Sequence, residues 1–319
     1  MKNKRVKGTV LSLGALIIGL GAYQMDADAS HWNVEEDTIA HDPTLIRENG
    51  TWYTFYTGEG LQLTASGNGM NWNLQDPVFD EPLDWWDNYA PEQDYNDIWA
   101  PDISRYNGKY WLYYSVSSFG SNDSAIGLVS SDSIQNGNWT DEGVVVHSSE
   151  GDNFNAIDPN MTVDENGDPW LAYGSYWSGL KLTRLNENTM KPEGEVHSIA
   201  QREVNDRSIE NPMITYRDGS YYLFASIDYC CQGADSTYKI VVGRSDSITG
   251  PYVDRTGIPM MEGGGTLIDS GNEKWAGPGG QFVYQNRIIA RHAYDTEDDG
   301  DPKLLISDLQ WDEEGWPYY

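Results

Sequence analysis

The stretch Asp42-Pro43-Thr44-Leu45-Ile46-Arg47-Glu48-Asn49-Gly50-Thr51-Trp52-Tyr53-Thr54-Phe55-Tyr56 decides the fold of this chain. It opens near a proline, runs through an apolar strand, turns at Asn49-Gly50 and returns through an aromatic strand. Short strand-forming runs separated by a turn signal of this kind are typical of an antiparallel hairpin. The segment therefore predicts two paired strands.

The same order of features occurs five times along the chain. The further copies begin at Pro101, Pro159, Pro212 and, more weakly, Pro278. A third apolar run follows each hairpin, as in Ile126-Gly127-Leu128-Val129. Without a sustained 3.6-residue apolar period, few helices are expected. Repeats of roughly 40 to 50 residues or more, with several short strands each, are typical of propeller blades around a channel. A two-sheet sandwich would not explain five copies, so the prediction is an all-β, five-bladed β-propeller.

The first 29 residues have the pattern of an export signal. A basic start from Lys2 to Lys7 precedes a mostly apolar run from Thr9 to Ala22, and Ala27-Asp28-Ala29 fits a small-x-small cleavage site. The apolar run is shorter than the roughly 20 residues that a membrane-spanning helix needs, which disfavours the alternative of an uncleaved anchor. The prediction is a secretion signal peptide over residues 1–29 and one propeller domain over residues 30–319, secreted and free of the membrane after cleavage.

The charge of the chain restricts its partners. It has 20 basic and 50 acidic residues, for a formal net charge of −30. Such a charge repels nucleic acid and anionic polysaccharides, whereas a neutral glycan is not repelled. Solubility or a salty environment also explains the excess of acid. We expect a neutral polysaccharide partner, no nucleic acid, and a monomer.

Aromatic and cysteine content add two pointers. The 13 Trp and 21 Tyr outnumber the 6 Phe, which favours rings with a polar handle, as in sugar-binding clefts, although most of them should fill sheet interiors. The two cysteines, Cys230 and Cys231, are adjacent and cannot form a disulfide framework. They are either a vicinal disulfide or two thiols, with a local packing role favoured over redox chemistry.

Acidic residues near the repeat starts indicate chemistry. In a propeller the first strand of every blade lines the channel, so these starts converge. Asp42, Asp158 and Glu210 precede the prolines of repeats one, three and four, whereas Asp102 follows the second proline and Gly277 precedes the fifth. Carboxylates gathered at one mouth of the channel repel one another and raise at least one pKa. Glycoside cleavage needs one carboxylate and one carboxylic acid, so this mouth is the predicted active site.

Several separate motifs also resemble glycoside hydrolase family 43, and within it the endo-arabinanases. The resemblance covers residues 38 to 319. The matching motifs are His41-Asp42-Pro43, Trp99-Ala100-Pro101-Asp102, Ser118-Phe119-Gly120-Ser121, Asn155-Ala156-Ile157-Asp158-Pro159, Tyr173-Gly174-Ser175-Tyr176-Trp177, Ser208-Ile209-Glu210-Asn211-Pro212, Cys230-Cys231-Gln232-Gly233 and Arg291-His292-Ala293-Tyr294-Asp295.

The resemblance implies an inverting hydrolase that cleaves internal α-1,5 bonds of arabinan. Asp42 would be the general base, Glu210 the general acid, and Asp158 the residue that raises the pKa of Glu210 and orients it. His292 would hold one calcium ion in the channel beneath the site. The implied substrate-binding residues are Trp99, Phe119, Gly120, Asn155, Ala156, Ile157, Ser175, Tyr176 and Trp177.

The chain departs from the family pattern at two positions. Asn211 stands where many relatives have Ala, and Gly280-Gln281 stands where a His-Asn-like pair is expected. The C-terminal residues 311–319 are expected to form the outer edge of blade five.

Other functions remain open at the level of sequence. An exo-acting arabinofuranosidase or β-xylosidase of the same family would keep all three carboxylates and close one end of the cleft. A five-bladed fructan or sucrose hydrolase is a more distant alternative, because its usual nucleophile context differs from His41-Asp42-Pro43. A non-catalytic carbohydrate-binding propeller would lack Asp42 or Glu210, and both are present.

Overall fold

The computed structural model describes residues 30–35 and 37–319, so the predicted signal peptide lies outside the described residues. Within this part of the chain, no helix is long and apolar enough to cross a membrane. The helices described are single 3-10 turns, at Trp86–Asn88, Asn205–Arg207, Gly233–Asp235 and Met260–Glu262. The remaining regular structure is β-strand, which confirms the all-β prediction.

Five antiparallel sheets form the blades, and in each the first strand lies innermost. Blade one contains β1 (Thr44–Glu48), β2 (Thr51–Tyr56), β4 (Gln62–Ser66) and β5 (Asn73–Leu74), whereas the short β3 (Gly58–Glu59) belongs to the sheet of blade two. Blade two contains β6 (Asp97–Tyr106), β7 (Lys109–Val116), β8 (Ser124–Ser131) and β9 (Thr140–Ser148). The short β3 pairs with β6 and so joins the first two blades.

The other three blades follow the same order. Blade three contains β10 (Asn160–Val163), β11 (Pro169–Tyr173), β12 (Leu180–Leu185) and β13 (Pro192–Ala200). Blade four contains β14 (Ile209–Arg217), β15 (Ser220–Ile227), β16 (Lys239–Ser245) and β17 (Thr266–Asp269). Blade five contains β18 (Trp275–Tyr284), β19 (Ile288–Asp295) and β20 (Pro302–Asp308), and a small hairpin of β21 (Gln310–Trp311) and β22 (Pro317–Tyr318) follows. The five-bladed propeller is confirmed.

The second strand of a blade is apolar on both faces because both faces are buried. Successive side chains of a strand point to opposite faces. In β7 of blade two, Tyr113 packs toward blade three, and Tyr114 packs toward blade one. In β15, Leu223 and Phe224 divide in the same way between blades three and five. The aromatic runs seen in the sequence are therefore the apolar contacts between blades, rather than one central core.

The N-terminal segment closes the ring. His31 and Ile39 form antiparallel bridges to Ser307 and Lys303 of β20, and the Trp32 N–H donates to the Ile306 carbonyl. Residues 31–39 therefore cover the outer edge of blade five. The expectation that residues 311–319 form this edge is wrong.

The C-terminal hairpin lies elsewhere, against the interface between blades four and five. Trp316 packs in the apolar cluster that contains Phe224 and Ile289, and the Tyr222 hydroxyl donates to the Gly315 carbonyl. The hairpin cannot also pair with β20, because the N-terminal segment already occupies that edge.

The start of every first strand has a special backbone conformation. The residue before the repeat proline has a positive φ in all five blades, at Asp42 (48°), Ala100 (39°), Asp158 (57°), Asn211 (53°) and Gly277 (53°). This left-handed region is uncommon for residues other than glycine. The pattern shows that Asn211, and not Glu210, is the fourth-blade equivalent of Asp42 and Asp158, so the expected equivalence of the three acids is wrong for Glu210.

Candidate active site

A cavity of about 700 Å³ lies at one mouth of the central channel. All three predicted catalytic acids line it, together with most of the predicted substrate-binding residues: Trp99, Phe119, Gly120, Asn155, Ile157, Ser175, Tyr176 and Trp177. Ala156 is fully buried and is not part of the lining; its N–H donates to the Ser148 hydroxyl. Ala156 thus holds the loop in place and offers no surface to a ligand.

Asp42 is held as a carboxylate. His41 Nδ1 lies 2.8 Å from one carboxylate oxygen, to which the Thr57 hydroxyl also donates. Burial alone would raise the pKa of Asp42, but the charge and hydrogen bond of His41 outweigh burial and bring this pKa to about 2. Asp42 is therefore ionised at neutral pH, as a general base must be.

Glycine at position 280 allows the close approach of blade five to Asp42. A Cβ atom at Gly280 would lie 2.3 Å from Asp42 Oδ1 and 2.8 Å from His292 Nδ1, and the φ of Gly280 is +57°. A side chain there would displace the carboxylate. This close contact explains why a glycine stands at position 280, one of the positions where the chain departs from the family pattern.

The surroundings of Glu210 raise the pKa of its carboxyl group. The hydroxyl groups of Ser175 and Tyr238 donate to its two carboxylate oxygens, each at 2.6 Å. Burial raises the pKa of Glu210 and outweighs these two hydrogen bonds, and the negative charge of Asp42 raises this pKa further. A hydroxyl group both donates and accepts, so protonated Glu210 keeps both contacts with one of them reversed.

Asp158 lies in the same buried group of acids. Its carboxylate accepts the Asn211 N–H at 3.0 Å, and its own N–H donates to the Ser115 hydroxyl. Burial raises the pKa of Asp158 well above its usual range, and the charges of Glu210 and Asp42 add to this effect. Asp158 and Glu210 thus compete for protons in one buried cluster.

Asn211 connects two of the acids. Its backbone N–H donates to Asp158, and its side-chain amide donates to Asp42 Oδ1 at 3.3 Å. The Gln281 side chain in turn donates to the Asn211 carbonyl. The two positions at which the sequence departs from the family pattern are therefore in direct contact.

Asp102 does not belong to the cleft. It lies deeper, along the channel, where its carboxylate accepts hydrogen bonds from Asn160 and from the Met161 N–H. Burial raises the pKa of Asp102 to about 7 despite these hydrogen bonds. Its contacts join blade two to blade three, which is a structural role.

His292 is fully buried beneath Asp42. Its Nδ1 lies 3.1 Å from the Asp42 backbone nitrogen and 3.5 Å from Asp42 Oδ1, whereas its Nε2 is buried with no hydrogen-bond partner among the described residues. Burial, and next the charge of His41, hold the pKa of His292 well below its usual range. His292 Nδ1 accepts the Asp42 N–H, so the neutral imidazole carries its proton on Nε2, and Nε2 could ligate a metal only after losing that proton. Asp42 and Asn211 line the adjoining channel and carry oxygen atoms of the kind that calcium prefers.

The outer cleft carries two aromatic side chains from the predicted substrate-binding set, Trp99 and Phe119. Phe119 is 82% exposed, and its ring meets that of Trp99 edge to face at a centroid distance of 6.1 Å. Asn155 also lines the cavity, and its Oδ1 is buried without a hydrogen-bond partner in the described part of the chain. These groups provide an apolar platform with polar contacts beside it.

Sequence reasoning assigned no role to several residues of the site. His41, Tyr238 and Tyr294 all contact the acids or one another. His41 and Tyr294 lie inside motifs that the sequence analysis quoted, but Tyr238 has no local signal. Cys230 and Cys231 are joined by a disulfide and line the cleft, which resolves the alternative between a disulfide and two thiols.

Two carboxyl groups with oppositely shifted pKa values at the mouth of a five-bladed propeller are the arrangement expected of a glycoside hydrolase. The profile of glycosyl hydrolases family 43 matches residues 36–317, and the chain belongs to this family.

Individual relatives agree with this assignment. The chain is 55% identical to extracellular endo-α-(1→5)-L-arabinanase 1 of Bacillus subtilis, over 92% of this chain and 91% of the relative. It is 41% identical to extracellular exo-α-(1→5)-L-arabinofuranosidase ArbA of Cellvibrio japonicus, over 87% of this chain and 85% of the relative. The solved structure of a family 43 endo-arabinanase from Bacillus licheniformis superposes with a TM-score of 0.89 at 57% identity, covering 90% of this chain and 100% of that one.

Proposed function

We propose that this protein is a secreted, endo-acting, inverting hydrolase of α-1,5-linked arabinan. The observation that carries the proposal is the opposite tuning of two carboxyl groups in one cleft: the pKa of Asp42 is lowered to about 2 and that of Glu210 is raised. An ionised base together with a protonated acid is what glycoside hydrolysis requires.

The reaction follows from these two states. Asp42 takes a proton from a water molecule as the water oxygen bonds to the anomeric carbon of the arabinosyl unit. Glu210 gives its proton to the glycosidic oxygen as the carbon–oxygen bond breaks. Attack from the face opposite the leaving group inverts the anomeric configuration. Asp158 and Glu210 share one buried cluster, so the charge of either one raises the pKa of the other, and Asn211 donates hydrogen bonds to both Asp158 and Asp42.

The endo mode and the neutral polysaccharide substrate are supported by the relatives. The B. subtilis endo-arabinanase is more similar to this chain than the C. japonicus exo-acting enzyme is, at 55% against 41% identity. Both relatives are named extracellular, in agreement with the export signal proposed over residues 1–29. The exo-acting reaction remains the second candidate because the exo-acting relative is also similar to this chain over most of its length.

We also propose that the channel beneath Asp42 holds one calcium ion with His292 among its ligands. When bound, a divalent cation supplies positive charge next to the general base. The unpaired Nε2 supports this proposal. Elemental analysis of desalted protein should find bound calcium, and His292→Ala should lose it; a metal-free protein whose activity does not respond to a chelator would exclude the site.

The stereochemistry of the product tests the mechanism. Hydrolysis of linear α-1,5-arabinan is followed by proton NMR, with the purified protein lacking residues 1–29. Inversion predicts that the β-anomer of the new reducing end forms first and then mutarotates. Initial appearance of the α-anomer would indicate retention and would remove Asp42 as the base in a single displacement.

A further inference from the structure

The vicinal disulfide is connected to Asp42 through a short chain of contacts. The Cys231 N–H donates to the Tyr294 hydroxyl at 2.8 Å. That hydroxyl lies 2.8 Å from His41 Nε2, and His41 Nδ1 lies 2.8 Å from Asp42 Oδ2. The Cys231 sulfur also approaches His41 Nε2, at 3.8 Å. Three hydrogen bonds therefore separate the cleft wall from the base.

Both ends of this chain depend on an unusual backbone conformation. Cys231 has a φ of +67° and Asp42 a φ of +48°, in the region that non-glycine residues rarely adopt. Such conformations persist only where the surroundings enforce them. At Asp42 the proline and the tightly packed Gly280 provide the constraint. At Cys231 the covalent link to Cys230 restricts the backbone.

The two residues in the middle of this series of contacts, His41 and Tyr294, are tightly packed. Tyr294 is 3% exposed, and the His41 ring stacks on that of His292 at a centroid distance of 3.9 Å. Cys231, in contrast, is exposed at the cleft surface, where a reductant can reach it. These contacts thus join an accessible covalent bond to the half-buried His41 and the buried Tyr294.

We propose that His41 and Tyr294 are positioning residues for the Asp42 carboxylate, and that the Cys230–Cys231 disulfide fixes the outer end of this chain. The inference rests on the proposed function, because it takes Asp42 as the general base. Cleavage of the disulfide lowers turnover by loosening Asp42. It also makes the enzyme sensitive to the redox state of its surroundings.

The redox step involves a dithiol reductant such as dithiothreitol. Its two thiols are oxidised to a cyclic disulfide, and the two electrons and two protons convert the Cys230–Cys231 bond into two thiols. Cys231 is then free to leave the left-handed region. Its N–H moves away from Tyr294, so the hydroxyl that contacts His41 loses one of the groups that hold it in place.

Side-chain variants test the inner part of the chain. Tyr294→Phe removes the hydroxyl, and His41→Asn keeps a donor toward Asp42 while losing the contact with Tyr294. A misplacement of about 1 Å costs up to roughly 100-fold in rate, so kcat should fall between roughly 5- and 100-fold with KM changed less than about threefold. His41→Ala should lose more than His41→Asn. Tyr222→Phe, which removes a hydroxyl bonded to the Gly315 carbonyl far from the cleft, is the matched control.

The disulfide is tested by reduction and by backbone rescue. Dithiothreitol should lower the kcat of the wild-type enzyme, with two new thiols confirmed by alkylation and mass spectrometry. Cys230→Ala combined with Cys231→Gly should lose less kcat than Cys230→Ala combined with Cys231→Ala, because glycine adopts a positive φ readily. Neither double variant should respond to the reductant.

Three results would overturn the inference. They are an unchanged kcat in protein shown to be reduced, a normal kcat in both Tyr294→Phe and His41→Asn, and an effect confined to KM, which would make the disulfide only a wall of the cleft. Failure of the proposed function is recognised separately: wild-type protein would not cleave arabinan, or Asp42→Ala would remain active.

Discussion

Asp42 and Glu210 show how neighbouring atoms shift the pKa values of similar carboxyl groups in opposite directions. Asp42 faces His41 and the Thr57 hydroxyl, which stabilise its charged form. Glu210 is buried next to another acid and receives only neutral hydroxyl donors. Burial acts on both groups, so the difference comes from the imidazole beside Asp42.

Removal of either carboxyl group should abolish most activity without unfolding the protein. Acid or base groups contribute roughly 10² to 10⁴ in rate, so Asp42→Ala and Glu210→Ala should each lose about that much in kcat on arabinan. Asp168→Ala is the matched control, since Asp168 lies on the surface in an ion pair with Arg184. Near-normal rates in a folded Asp42 or Glu210 variant would remove that residue from the mechanism.

Asp158→Asn should change the pH profile as well as the rate. Glu210 acts in its protonated form, so activity is present below its pKa and is lost as the pH rises through it. Asp158 raises the pKa of Glu210 whenever it is ionised, and asparagine cannot ionise, so the substitution should lower the pKa of Glu210. The alkaline limb of kcat/KM should therefore move to lower pH. A limb that stays in place or moves upward would show that Asp158 does not tune Glu210.

At the scale of elements, the inner strands are tied together by buried polar contacts that cross from blade to blade. Asp102 of β6 accepts from Asn160 and from the Met161 N–H of β10, and Asn160 accepts the Ile214 N–H of β14. Proline and the left-handed residue before it interrupt pairing at each blade start. The polar side chains therefore replace backbone hydrogen bonds that regular strands would make.

Asn160→Ala should destabilise the fold more than a surface substitution of the same kind. It leaves the Ile214 N–H and one oxygen of Asp102 buried without their present partner, at a cost of roughly 2 to 4 kcal/mol. Urea unfolding measures the change, with Asn73→Ala on the exposed edge strand as control. Equal stability of the two variants would show that these inner contacts do not hold the blades together.

The strands were predictable from sequence because each hairpin carries its own turn and its own apolar runs. The contacts that close the ring were not predictable from sequence. Residues 31–39 have no strand pattern of their own, and they form an edge only because β20 presents free backbone groups. Glu210 was grouped with Asp42 and Asp158 although it stands two residues before its proline rather than one, and the positive φ of Asn211 shows that Asn211 takes the equivalent position. His41 was visible in a motif, but its role depends on Tyr294, which is distant in sequence.

At the scale of the whole molecule, the first described residues hold the propeller closed. Trp32 packs edge to face on Trp52 of blade one, at a centroid distance of 5.5 Å, and its indole N–H donates to Asp308 of blade five. One side chain thus bridges the first and last blades. Ring closure does not require the C-terminal hairpin.

Trp32→Ala should therefore lower stability by about 2 kcal/mol, less than a fully buried tryptophan would cost, because Trp32 is only half-buried. Tyr95→Ala, at a ring that is 65% exposed, is the control and should change stability little. Chemical denaturation followed by tryptophan fluorescence and circular dichroism measures both. A Trp32 variant as stable as the control would place ring closure elsewhere.

The mode of attack on the polymer tests the central claim most directly. The protein lacking residues 1–29 is incubated with linear α-1,5-arabinan, and viscosity, reducing ends and products are recorded together. A cleft that accepts internal bonds predicts an early fall in viscosity, a mixture of short oligosaccharides, and little action on small aryl glycosides. Free arabinose as the first product, with viscosity still high, would contradict the endo assignment and establish the exo-acting reaction in its place.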